Sequence, residues 1–133
     1  MPPILLPELA TIGTNGVAVS AAEAARHLRD RAAVRARAAQ DRAARLLAAV
    51  PAAAELLRSR YGARDLVLFG SLATGHFTDR SDVDLAVRGI DPSDYFAALA
   101  DLMELFGGPV DLVRLEQAPA SLIARVVEEG RHL

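Results

Sequence analysis

Apolar and polar positions follow different rhythms in the two halves of the chain. In the first twenty residues, short apolar runs at Leu9 to Ile12 and Val17 to Val19 flank an Asn15-Gly16 pair, among three of the seven prolines. That pattern reads as an arm, with Asn-Gly as the turn of a weak hairpin. Ser20 with Glu23 three positions on has the form of a capping box, which predicts a helix from Ala21 to about Val50. Its large apolar side chains are few, chiefly Leu28, Val34, Leu46, Leu47 and Val50, so it needs a neighbour or a second chain to cover them. Pro51 suits the first turn of a new helix that runs through Leu56 and Leu57 to Tyr61 and stops at Gly62.

From Asp65 the period shortens. Leu66-Val67-Leu68-Phe69 is a fully apolar run of strand length, and Gly70-Ser71 follows it at once, opening a short helix that Gly75 breaks. Val83 to Val87 forms a second strand. Asp91-Pro92-Ser93-Asp94 supplies turn and cap chemistry for a helix through Tyr95, Leu99, Leu102, Met103 and Phe106, closed by Gly107-Gly108. Val110 to Leu115 is a third strand, and Ser121 to Glu129 a last helix that turns Leu122, Ile123 and Val126 inward. The order from Pro51 is helix, strand, short helix, strand, helix, strand, helix. A domain at 51–133, preceded by an arm and Ala/Arg-rich helix at 1–50, is the expected organisation.

Composition narrows the chemistry. There is no cysteine, so disulfides, thiolate metal sites and thiol nucleophiles are excluded, and a metal must be held by oxygen or imidazole. No apolar run approaches the roughly 18 residues of a membrane span, and Ile4-Leu5-Leu6 lacks the basic flank of a secretory signal, so a cytoplasmic protein is expected. The net charge of -2 conceals a polarity: residues 1–64 carry ten Arg against five acids, and residues 65–133 five Arg against twelve acids. Arg31, Arg35, Arg42 and Arg45 recur at helical spacing as a stripe that could face RNA or an acidic partner, although the same spacing describes a solvated face. His76 follows Gly75 within reach of a phosphate, yet a lone loop histidine is ordinarily just exposed.

The acidic half holds the candidate site. Asp82 and Asp84 are separated by one residue at the start of a strand, so both leave the same face while Val83 and Leu85 point into the core. Two adjacent carboxylates repel, and a hard divalent ion, Mg²⁺ or Mn²⁺, relieves that with oxygen ligands. Asp111 is the single acid in the apolar run Val110 to Val113 and wants a specific partner. If its strand lies beside the second, the three acids can bind two ions about 4 Å apart, and Asp111 can deprotonate an attacking hydroxyl. Gly70 lets the backbone approach a phosphate, Ser71 offers hydroxyl and amide, and a nucleoside triphosphate is the implied substrate. Ser81, directly before the acidic pair, is placed with them on the nucleotide.

Leu68-Phe69-Gly70-Ser71-Leu72-Ala73-Thr74-Gly75 through Asp82-Val83-Asp84-Leu85 resembles the signature of the DNA polymerase beta-like nucleotidyltransferase superfamily, in its minimal branch. The likeness covers about residues 51–133, including Val110 to Val113 and the helix ending in Glu128-Glu129-Gly130. It implies an α/β (α+β) fold, a small mixed β-sheet flanked by helices, here with an N-terminal helical extension. It also implies that Gly70 and Ser71 hold the triphosphate, that Asp82 and Asp84 ligate metal, and that Asp111 is the third carboxylate. Thr74 stands where the family pattern usually has Arg, which removes one positive contact; Arg80 or Arg88 could compensate. Many minimal members are antitoxins that transfer AMP from ATP to a tyrosine of a HEPN-type toxin, and this chain resembles them. The alternatives are a non-catalytic module that blocks its partner by contact, and a transferase acting on a small molecule such as an aminoglycoside, its pocket completed by a homo-oligomer through residues 21–50.

Overall fold

The computed structural model describes residues 19–133, so the expected hairpin at Asn15-Gly16 lies outside the described residues. The chain comprises two units, one up to Arg37 and one from Ala38 to Leu133. Helix α1, Ala21–Tyr61, begins where the capping box places it, with the Glu23 N–H donating to Ser20 Oγ at 3.1 Å. Through Arg37 it buries no side chain, and Leu28 and Val34 stay 65% and 68% exposed. They are two of the five apolar positions expected to need a neighbour.

One sequence expectation fails in α1: Pro51 does not begin a second helix but sits inside a single one. Leu46, Val50, Ala53, Ala54 and Leu57 make one buried stripe across the proline, spaced so that breaking the helix there would misalign its two halves. Packing of that stripe outweighs the lost backbone hydrogen bond and the ring clash.

The strands are β1 (Asp65–Phe69), β2 (Val83–Arg88), β3 (Val110–Arg114) and β4 (Arg131–His132), in sheet order β3-β2-β1-β4. β1 pairs antiparallel with both β2 and β4, whereas β2 and β3 are parallel, which makes the sheet mixed. A parallel neighbour requires a crossover, supplied by α3 (Tyr95–Phe106), while the five-residue α2 (Gly70–Thr74) joins β1 to β2 and α4 (Ala120–Glu129) follows β3. β4 escaped the sequence reading because two residues carry no periodicity. It pairs Val67 with His132 and Leu68 with Arg131 once Gly130 has let the chain pass.

Alternation along the strands separates two apolar clusters. Leu66, Leu68, Val83, Leu85, Val87 and Leu112 face one side and pack with Leu46, Val50 and Leu57 of α1 and Ala98, Leu102 and Phe106 of α3. Val67, Phe69 and Ala86 face the other, packed with Val126 of α4 and flanked by Val113 and Leu122. Asp84 and Asp111 belong by register to this second, smaller side. Among the described residues no helix is long and apolar enough to cross a membrane.

Because Pro51 is carried by packing and not by helix preference, Pro51→Ala is predicted to raise unfolding free energy by about 1–2 kcal/mol. Urea denaturation of the two proteins measures it; a less stable variant would show that the proline shapes the helix.

Candidate functional site: a carboxylate row beside the Gly70 turn

Sheet register sets the site. Phe69 of β1 pairs with Asp84 of β2, and Asp84 pairs with Asp111 of β3, so the three side chains form one row on the α4 side of the sheet. Asp84 is half-buried, whereas Asp82, just ahead of β2, and Asp111 are exposed. The register thus brings Asp111 to the same side as Asp84, within one strand spacing. Among the described residues, no three His, Asp or Glu side chains form a ready-made cation cage.

Asp84 bears the cost of this arrangement. Burial first, then repulsion from Asp111, pushes its carboxyl from the ordinary 3.8 up to about 6; Arg125 opposes the shift, while Asp82 and Glu129 add to it. A half-buried carboxylate crowded by other acids suits a hard divalent cation, which offsets both the lost hydration and the repulsion. By the chemistry of their oxygens the residues present fit such an ion.

Gly70 serves this carboxylate more directly than the sequence suggested. Its φ is +73°, and a Cβ added there would lie 2.1 Å from Asp84 Oδ2. Glycine is therefore required both by backbone conformation and by the close approach of Asp84. The Gly70 N–H donates to Glu129 Oε2 at 3.0 Å. Glu129 in turn meets Arg125 at 3.3 Å, and the Arg125 guanidinium carbon lies 5.5 Å from the centre of the Phe69 ring.

Arg125 and Glu129 were not singled out from the sequence. A signal was available: an acid in the last turn of a helix opposes the macrodipole, so Glu129 needs a reason to be there. Gly130 permits it, since a Cβ at that position would sit 2.2 Å from the Val126 carbonyl oxygen and 2.4 Å from Val67 Cγ1. The end of α4 lies flush against β1 for that reason.

Ser71 is half-buried in the first turn of α2, and its carbonyl accepts from the N–H groups of Gly75 and His76, both at 3.0 Å. The Ser81 hydroxyl closes the turn before β2, accepting from the Thr78 N–H at 2.9 Å. Arg42 donates to the Ser81 carbonyl at 3.0 Å and stacks 5.1 Å over the Phe77 ring, which takes it out of the arginine stripe and makes it a brace for this turn. Together with Asp79, Arg80, Asp82 and Pro109 it lines an open hollow of about 430 Å³. His76 is exposed, with Nδ1 3.1 Å from Thr74 Oγ1. Another hollow, about 390 Å³, lies around Tyr95, Phe96, Arg114 and Leu122, and none of the three acids lines it.

A raised acid pKa means that the folded state binds a proton more tightly than the unfolded state does. Without metal, ionised Asp84 is thus a destabilising element that develops between about pH 4 and 6 and is complete above 6. Asp84→Asn is predicted to stabilise the metal-free protein at pH 7.5 by on the order of 1 kcal/mol after solvent screening, and to change little at pH 4. Thermal melts at the two pH values test this; equal effects at both would show that Asp84 ionises freely.

Comparison with known proteins places this geometry in context. The family model described as polymerase beta, nucleotidyltransferase matches residues 53–133. A curated chain of Methanocaldococcus jannaschii, described as a candidate protein adenylyltransferase, is 33% identical over 78 residues, spanning 56% of this chain and 80% of that one. A toxin–antitoxin structure with AMP-PNP aligns at 30% identity and a TM-score of 0.54, over 59% of this chain and 66% of its counterpart. A complex of a tri-AMPylated Shewanella oneidensis HEPN toxin with an MNT antitoxin aligns at 25% identity and a TM-score of 0.54, over 65% of this chain and 70% of that one.

Proposed function

Because the chain belongs to the polymerase beta nucleotidyltransferase family, we propose that it transfers AMP from ATP to a hydroxyl of a protein partner in a divalent-metal-dependent reaction. The observation that carries this reading is the Phe69–Asp84–Asp111 row, with Gly70 stripped of a side chain where Asp84 leans on it. Asp82 and Asp84 hold the cation, with Asp111 as the third carboxylate. When bound, Mg²⁺ or Mn²⁺ neutralises charge building on the α-phosphate and on the departing pyrophosphate. Gly70, Ser71 and Ser81 border the triphosphate. Asp111 accepts the proton as the acceptor oxygen bonds to the α-phosphorus and the bond to the β-phosphate breaks.

The acceptor is assigned by likeness. One related chain is described as a candidate protein adenylyltransferase, and one neighbouring complex contains an AMPylated HEPN toxin. We assign the partner as a HEPN-type toxin, the target hydroxyl as a tyrosine, and the role as antitoxin.

A contact-only module is the second reading, favoured by Thr74 in place of the family's usual Arg and by Glu129 standing on the Gly70 N–H. Calorimetry with ATP and Mg²⁺ separates the two: heat of binding is expected, and its absence beside a stable partner complex would establish the module. For the enzyme, Asp82→Asn with Asp84→Asn is predicted to cut transfer of α-labelled AMP at least 100-fold, as expected for loss of about 3 kcal/mol of charge stabilisation, while the protein still melts cooperatively. Undiminished labelling of the partner would refute the assignment.

A further inference from the structure

Five contacts close on themselves around the carboxylate row. Phe69 pairs with Asp84; the Asp84 carboxylate rests on the Gly70 Cα; the Gly70 N–H binds Glu129; Glu129 binds Arg125; and Arg125 lies over the Phe69 ring. The turn at Gly70 has no cap of its own, because Phe69 precedes α2 and offers no side-chain acceptor. The acceptor comes instead from the far end of α4, held against β1 by the tight fit of Gly130 on Val67.

We propose that Glu129 is a positioning residue for Asp84, acting through the Gly70 turn and held in place by Arg125. Asp84 Oδ2 lies where a Gly70 Cβ would be, so any drift of the turn changes the space open to that carboxylate. The Glu129 hydrogen bond restrains the drift, and the charge pair with Arg125 holds the Glu129 carboxylate over the Gly70 amide and not out in solvent. Arg125 also carries positive charge to the side of the sheet on which the acids gather. Glu129 therefore touches neither nucleotide nor acceptor in this account, and its effect on them passes through Asp84. The inference rests on the proposed transferase reading for its consequence, but its structural core does not.

Glu129→Ala and Glu129→Gln in the full chain test it, with thermal melts to confirm folding. Gln keeps an acceptor oxygen for the Gly70 N–H; Ala removes it. Expected in Glu129→Ala are Gly70 amide exchange about tenfold faster and Mn²⁺ binding, followed by electron paramagnetic resonance, about tenfold weaker, each a size one lost hydrogen bond can produce. Glu129→Gln should stay within about threefold of the parent in both. In transfer assays the Ala variant should lose kcat with KM for ATP nearly unchanged, and Gln should restore it. Parental Gly70 exchange in Glu129→Ala would overturn the proposal, as would a Gln variant as impaired as Ala, which would make Glu129 a direct ligand. The exchange readout needs neither nucleotide nor partner, so an absence of transfer in the parent protein would sink the functional reading and leave this one standing.

Discussion

Parallel pairing of β2 with β3 puts the side chains of Asp84 and Asp111 next to each other, and pairing of β2 with β1 puts Phe69 on the other side of Asp84. Neither acid can turn away without a one-residue slip that would carry Val83, Leu85 and Leu112 out of the main core. The apolar cluster thus holds in place a charge arrangement that is unfavourable taken alone. Its cost is concentrated on Asp84, the least exposed of the three acids, whose carboxyl is pushed up to about 6.

The two sides of the sheet divide the labour. On one, α1 and α3 cover a continuous core from Leu46 to Leu112; on the other, α4 covers only a small cluster around Val67, Phe69, Ala86 and Val126. Asp84 and Asp111 lie on that second side, beside this small cluster. Both glycines flanking this region serve close approach: Gly70 admits the Asp84 carboxylate and Gly130 admits the end of α4. Rigidity in the first cluster and proximity in the second are what a phosphoryl-transfer site asks of a scaffold, since catalysis there depends mainly on placement and electrostatics.

Much of this was legible in the sequence, for identifiable reasons. Short apolar runs marked β1, β2 and β3, Ser20 and Glu23 marked the start of α1, and Asp84 with the single acid of β3, Asp111, marked two members of the row. What escaped depends on distant contacts. The continuity of α1 through Pro51 arises from packing against strands later in the chain, and β4 is two residues that pair only because Gly130 fits against Val67. Arg125 and Glu129 lie more than fifty residues from Gly70, and only the register of α4 on the second face brings them to it.

The proposed reaction depends on Asp82, Asp84 and Asp111 together forming a cation site that faces a nucleotide at the Gly70 turn. Anomalous diffraction from crystals grown with Mn²⁺ and a non-hydrolysable ATP analogue tests it most directly. An anomalous peak is expected within coordination distance of Asp84 and at least one other of the three acids, with the analogue's phosphates between it and Gly70-Ser71. A bound analogue whose metal lies elsewhere, with the three carboxylates uncoordinated, would contradict it.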